Sequence, residues 1–149
     1  MLHGPVFVPS KKEDIKQMIK LAGIKKGERV IDLGSGDGAI LQALANQKIK
    51  ASGIEINPFL VRRTQKLINQ KNLSHYISVK RGNFWHLDLS EYDVIFLYGT
   101  SYIMKKLEKK LTQEMKPTAR LISNYFILPN WPVTKKIGKI NLYQNQSRS

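Results

Sequence analysis

Between Val30 and Ile40 the chain reads VIDLGSGDGAI, with glycines at three alternate positions (Gly34, Gly36, Gly38) and carboxylates at Asp32 and Asp37. Glycines in this arrangement permit a tight turn and let a ligand approach the backbone closely. Another acid, Glu55, stands 21 residues beyond Gly34. That is close to the ~20-residue interval at which a ribose-binding carboxylate follows such a turn. The ligand implied therefore carries a ribose. The spacing is G-x-G-x-G, not the G-x-G-x-x-G of dinucleotide sites, and no Lys-Ser or Lys-Thr follows as a P-loop requires. Two aspartates beside the turn repel a pyrophosphate and favour a positively charged ligand. S-adenosylmethionine, with its ribose, ammonium and sulfonium, meets these demands better than a phosphate ligand does.

Other chemistries are poorly supplied. The chain has no cysteine, which excludes disulfides and thiolate metal sites. Its three histidines, His3, His75 and His86, are not spaced as metal pairs. His86 falls beside the expected site, where a proton acceptor and an ordinary polar loop residue are both open readings. Aromatic side chains are more plentiful: Tyr98, Tyr102, Tyr125, Phe126 and Trp131 follow the fourth and fifth apolar strands. They suit an amine acceptor. A lysine must lose a proton before it attacks, which at neutral pH costs about 4–5 kcal/mol from a reference pKa of about 10.4. An apolar channel lowers that cost by desolvation, and aromatic faces hold an ammonium by cation–π attraction. The Asn/Asp-Pro-Pro-Tyr/Phe loop of base amino-methylases is missing, since the equivalent stretch, Leu97 to Ser101, reads LYGTS.

The 149 residues carry 25 Lys and Arg against 11 Asp and Glu, a formal charge of +14. After Glu114 there is no acid, yet six basic residues follow. Such a surface attracts nucleic acid, an anionic membrane or an acidic protein; a solvated lysine-rich surface is the plainer reading. No apolar run reaches the ~20 residues that span a bilayer, and the first residues lack a signal-peptide pattern. The expectation is a soluble, cytoplasmic, metal-free single domain over residues 1–149, with 145–149 a frayed tail.

The elements that must position these residues alternate between strand and helix. Ser10 and Glu13 form a capping box before a helix over Lys11–Ala22. RVIDLG is a buried strand, AILQALANQ a helix and ASGIEI a second strand. Asn57-Pro58 opens a helix that ends near Asn72. YISVKRGN and YDVIFLYG are the third and fourth strands. Ile103, Leu107, Leu111 and Met115 mark a helix over Ser101–Lys116, stopped by Pro117. RLISNYFIL is a fifth strand, and VTKKIGKINLYQN can form two short strands turning near Gly138. This alternation predicts an α/β, Rossmann-like doubly wound sheet, strand order 3-2-1-4-5, with a short C-terminal strand or hairpin and the glycine turn at the switch point.

VIDLGSGDG, GIEINP and GNF resemble the three cofactor-binding segments of seven-strand, S-adenosylmethionine-dependent methyltransferases. FVPS, GIEINPFLV, YDVIFLYGTSYIMKKLEKKL and ARLISNYFILPNW sharpen this to the small archaeal and mitochondrial protein-lysine methyltransferases, over about Phe7 to Trp131. The stretch after Trp131 is short for their final hairpin. The resemblance implies that Asp32, Gly34, Ser35, Gly36, Asp37 and Gly38 surround the methionine end of the cofactor; Asp37 caps the next helix in the alternative reading. Glu55, with Ile56 and Asn57, takes the ribose. Gly82, Asn83 and Phe84 take the adenine, with Trp85 and a core role for Phe84 left open. Phe7 and Val8, within residues 1–10, fold over the cofactor as a lid. Tyr98 and Trp131 line the acceptor channel, and Tyr98, Gly99, Thr100, Tyr102 and Trp131 meet the substrate. The reaction implied transfers methyl to a protein lysine and leaves S-adenosylhomocysteine. RNA or a small molecule is the alternative acceptor, and an anionic membrane a further partner.

Overall fold

The computed structural model describes residues 12–98 and 101–145. Seven strands form one sheet in the order β3-β2-β1-β4-β5-β7-β6. They are β1 (Val30–Leu33), β2 (Ala51–Glu55), β3 (Ile77–Arg81), β4 (Val94–Leu97), β5 (Arg120–Asn124), β6 (Lys135–Ile137) and β7 (Ile140–Gln144). The first five run parallel; β7 lies antiparallel to β5, and β6 antiparallel to β7. The predicted order holds, and the short C-terminal stretch still makes a complete hairpin around Gly138.

Among the described residues four α-helices cover the sheet: α1 (Lys12–Ala22), α2 (Ala39–Asn46), α3 (Pro58–Gln70) and α4 (Ser101–Glu114). The side chains of β1 and β4 are apolar on both faces apart from Asp32, as parallel strands covered on both sides require. On one face Met18, Leu41, Leu44 and Ile68 from α1, α2 and α3 pack against Phe96 and Ile122. On the other, Met104, Leu107 and Leu111 of α4 pack against Leu33, Ile95 and Leu121. Asn57 caps α3 by accepting from the Phe59 N–H at 2.9 Å, with Pro58 in the first turn.

β5 stops four residues before the end of RLISNYFIL. Tyr125 adopts φ 77°, a left-handed conformation that cannot continue a strand. The following segment turns back under α4. The Tyr143 hydroxyl accepts from the Leu128 N–H at 2.9 Å, and Glu108 on α4 accepts from the backbone and side chain of Asn130. Asn145, expected in the frayed tail, donates to the carbonyls of Met115 and Lys116.

A partly buried clamp ties the two halves of the sheet together. The Arg120 guanidinium meets both oxygens of Glu28, at 2.7 and 2.9 Å, and also donates to the carbonyls of Ala22 and Gly23. Hydrogen bonds from Arg120 hold the Glu28 carboxyl below its ordinary value.

Candidate functional site

The glycine turn leaves β1 where the neighbours on either side are β2 and β4, the switch point at which doubly wound sheets bind ligands. Gly34, Gly36 and Gly38 all have positive φ, 71°, 58° and 83°. At Gly38 a side chain is excluded twice over. Its backbone is left-handed, and a Cβ there would sit 2.7 Å from the Thr64 Cγ2 of α3. Thr64 is wholly buried and its hydroxyl donates to the Gly36 carbonyl at 3.3 Å.

The turn is stitched to β2. The Ile54 carbonyl accepts from the N–H groups of both Gly34 and Ser35, at 2.8 and 3.0 Å. The Glu55 carboxylate then reaches both ways: one oxygen accepts from the Gly36 N–H at 2.9 Å and the other from the Asn57 N–H at 2.8 Å. Its backbone carbonyl accepts from the Gly82 N–H at 3.0 Å. One buried residue thus joins the three segments that sequence reasoning picked out, and Gly34, Ile56, Gly82, Asn83 and Phe84 line a recess beside it. Each carboxylate oxygen has a second lone pair, so the two backbone bonds leave Glu55 able to accept from a diol.

Asp32 is the site's unbalanced charge. It is 2% exposed, and its carboxylate accepts no hydrogen bond among the described residues. Burial pushes its pKa well above the usual carboxylate range, and the nearby Glu55 and Asp37 push it further. Buried charges are ordinarily paired, so a cationic group on a ligand is the partner this constellation lacks. Ser35 adds a buried hydroxyl without a hydrogen-bond partner among the described residues. Asp37 accepts from the Ala39 N–H at 3.2 Å from the position before Gly38, the N-cap of α2, and its second oxygen stays open. A ligand with an ammonium, a sulfonium and a ribose fits these donors and acceptors.

Around the recess, Asn83 spends its side-chain oxygen on the Trp85 N–H at 3.0 Å, retaining an NH2 group and one lone pair. Phe84 lies in the core with Ile31, Ile54 and Leu89 at 4% exposure, so its ring is a packing element. The Trp85 ring carries the Lys106 ammonium at 4.5 Å. His86 is exposed.

On the acceptor side, Leu33 and Leu97 are register partners, so Gly34 and Tyr98 emerge side by side from β1 and β4. Tyr98 is half-buried and Tyr102 exposed. Tyr125 leaves the end of β5 close by, strained and exposed. Trp131 is not brought to this mouth. Its indole N–H donates to the Gln144 carbonyl, and Gln144 pairs with Arg120 at the amino end of β5. The ring is 4% exposed and packs edge-on against Tyr143. Trp131 is therefore a core residue below α4, carried there by the returning loop. Phe7, Val8, Gly99 and Thr100 lie outside the described residues, as does Ser10.

Two contributors escaped sequence reasoning. Thr64 stands on the buried stripe of α3, where a polar residue between Leu60 and Ile68 was the available signal. Gly53 lies inside β2 opposite Asp32, and a Cβ there would fall 2.8 Å from the Ser35 Cβ. A glycine in a strand interior marks such a close approach.

Comparison with known proteins follows the same lines. The family model described as the ANTKMT methyltransferase domain matches residues 32–135. The lysine N-methyltransferase of Xenopus laevis that acts on the ATP synthase c-subunit is 33% identical over 125 residues, covering 84% of this chain and 55% of that protein. The protein-lysine N-methyltransferase of Saccharolobus islandicus (strain REY15A) is 33% identical over 132 residues, covering 87% of this chain and 81% of that one. The crystal structure of an RNA methyltransferase from Salinibacter ruber in complex with S-adenosyl-L-homocysteine superposes with a TM-score of 0.84 at 27% identity, over 91% of both chains. The chain spans about half the length of the Xenopus and human relatives it matches.

Proposed function

The chain belongs to the ANTKMT methyltransferase domain family, and on that premise we propose that it transfers the methyl group of S-adenosylmethionine to the side-chain amine of a protein lysine. The observation that carries the cofactor is the buried Asp32, without a hydrogen-bond or ion-pair partner among the described residues, beside a turn of three left-handed glycines, with Glu55 next to it. When bound, the cofactor supplies an electrophilic methyl group on a sulfonium.

The chain's own residues do the rest. Asp32 and the second oxygen of Asp37 offer negative charge to the ammonium and sulfonium. Glu55 takes the ribose hydroxyls while it holds the Gly36 and Asn57 backbones in place. Gly82 and Asn83 border the adenine end. Tyr98 stands beside Gly34, with Tyr102 and Tyr125 outside it, and these aromatic groups receive the lysine and strip water from its amine. Desolvation favours the neutral amine that attacks, and holding it in line with the methyl supplies much of the acceleration. The proton leaves to solvent.

Lysine as the acceptor is supported by the named activity of the Xenopus and Saccharolobus relatives. RNA is the second reading, favoured by the Salinibacter neighbour and the +14 charge. The two separate by incubating the protein with methyl-labelled cofactor and a cell lysate. On the proposal, label is lost after protease and survives RNase. Label that survives protease and is released by RNase overturns it.

A further inference from the structure

At the opposite end of the sheet from the glycine turn, the loops that lead into β1, β2 and β3 enclose a cavity of about 970 Å³. Lys25, Lys26, Arg29, Lys48 and Lys50 line it. The one carboxylate among its described lining residues, Glu28, is already committed to Arg120 through two bonds. Arg29 meets Glu91 at 3.2 Å and lies over the Tyr92 ring. The four lysines make no ion pair among the described residues. Cations gathered in one recess repel each other until an anion joins them.

The other lining groups narrow the class of anion. Ser52 and Ser78 are register partners on β2 and β3, and with Ser74 they present hydroxyls to the cavity. Hydroxyls and ammonium groups together are what phosphate oxygens of a nucleic acid backbone recruit. His75 and Tyr76 meet edge-to-face at 4.9 Å on the same wall, offering ring surface of the kind on which unpaired bases stack. An anionic membrane fits less well. Membrane docking pairs basic groups with apolar side chains that insert, yet the exposed large hydrophobics Phe59, Tyr102, Tyr125 and Ile127 all follow the carboxyl ends of strands, at the far end.

We propose that this cavity binds the phosphodiester backbone of single-stranded RNA. The strand is a ligand and not the methyl acceptor. β1 alone separates the cavity from the turn by roughly 13 Å, its four residues at about 3.3 Å each. RNA held here leaves the cofactor turn free, so the inference stands whichever acceptor is correct.

The test is fluorescence anisotropy with a labelled 12-nucleotide oligouridylate between 50 and 200 mM NaCl. Four lysine–phosphate contacts at a slope of about −0.7 each give a total near −3, or about 50-fold weaker binding across that range. Lys48→Gln/Lys50→Gln should flatten the slope by about 1.4 and weaken binding about 25-fold at 0.1 M salt. Its melting temperature and its S-adenosylhomocysteine affinity should be unchanged. Lys105→Gln/Lys109→Gln on α4 removes the same charge elsewhere and should leave most of the binding. Equal losses in the two variants would overturn the site, because the general positive charge would then be responsible. So would absence of oligonucleotide binding alongside Lys48- and Lys50-dependent capture by vesicles containing phosphatidylserine.

Discussion

Replacing Glu55 by Gln tests the site at its most connected residue. In the wild type each carboxylate oxygen accepts one backbone N–H, from Gly36 at 2.9 Å and from Asn57 at 2.8 Å. The amide keeps one acceptor and turns an NH2 group towards the other N–H. One charge-assisted bond is lost, worth about 1.5–3 kcal/mol, and the melting temperature falls accordingly. The ribose loses an acceptor as well. At 1.36 kcal/mol per tenfold, a loss of about 1.5–3 kcal/mol weakens S-adenosylhomocysteine by about 10- to 150-fold in titration calorimetry. Ala at this position removes both bonds and is a poorer probe, because about 3–6 kcal/mol is a large share of a domain's stability. A Gln variant that melts lower yet binds within threefold of wild type refutes the ribose assignment and leaves Glu55 as scaffold.

Three further outcomes follow from the same geometry. Asp32→Asn should stabilise the ligand-free protein and weaken the cofactor. With no cationic ligand beside it, a buried acid with a raised pKa keeps its proton when folded and loses it when unfolded, so its stability cost grows as pH rises above about 4; it takes up its negative charge when the cation joins it. Melts should therefore show the variant's advantage widening from pH 4 to 7, and an advantage that shrinks over that range contradicts the burial argument. Gly38→Ala adds left-handed strain of about 1–2 kcal/mol and a Cβ 2.7 Å from Thr64, for about 2–5 kcal/mol in all; denaturant titration should show partial rescue by Thr64→Ser. Glu28→Gln should cost about 1.5–3 kcal/mol at neutral pH. Because the folded Glu28 pKa is lowered by Arg120, that stabilisation is present above the ordinary Glu value and lost as pH falls through the folded one. The difference between wild type and variant should shrink as pH falls below the ordinary Glu range.

Local rules made most of the framework readable. Glycine spacing, the acid at Glu55 and Asn57-Pro58 each report on their own neighbourhood, and together they locate two of the three segments that Glu55 joins; the third, residues 82–84, was readable only through the family resemblance. Alternation of strand and helix carried the sheet order, and Gly138 with φ 58° marked the last hairpin. Contacts between elements were harder. Thr64 and Gly53 matter because α3 and β2 press against the glycine turn, and neither position advertises its partner in sequence. Trp131 shows the opposite error. It follows β5 in the chain, which suggests a place at the mouth, but Tyr125 turns the backbone and Tyr143, Glu108 and Gln144 hold the returning loop below α4. Phe84 sits between the two cases, lining the recess yet packed with the core.

Peptide mass spectrometry after incubation with heavy-methyl S-adenosylmethionine and a protein lysate addresses the central claim most directly. The account predicts heavy methyl groups on lysine Nζ, including lysines of this chain itself, and their loss in Asp32→Asn at limiting cofactor. Heavy methyl recovered on nucleosides, with none on any lysine, would contradict it.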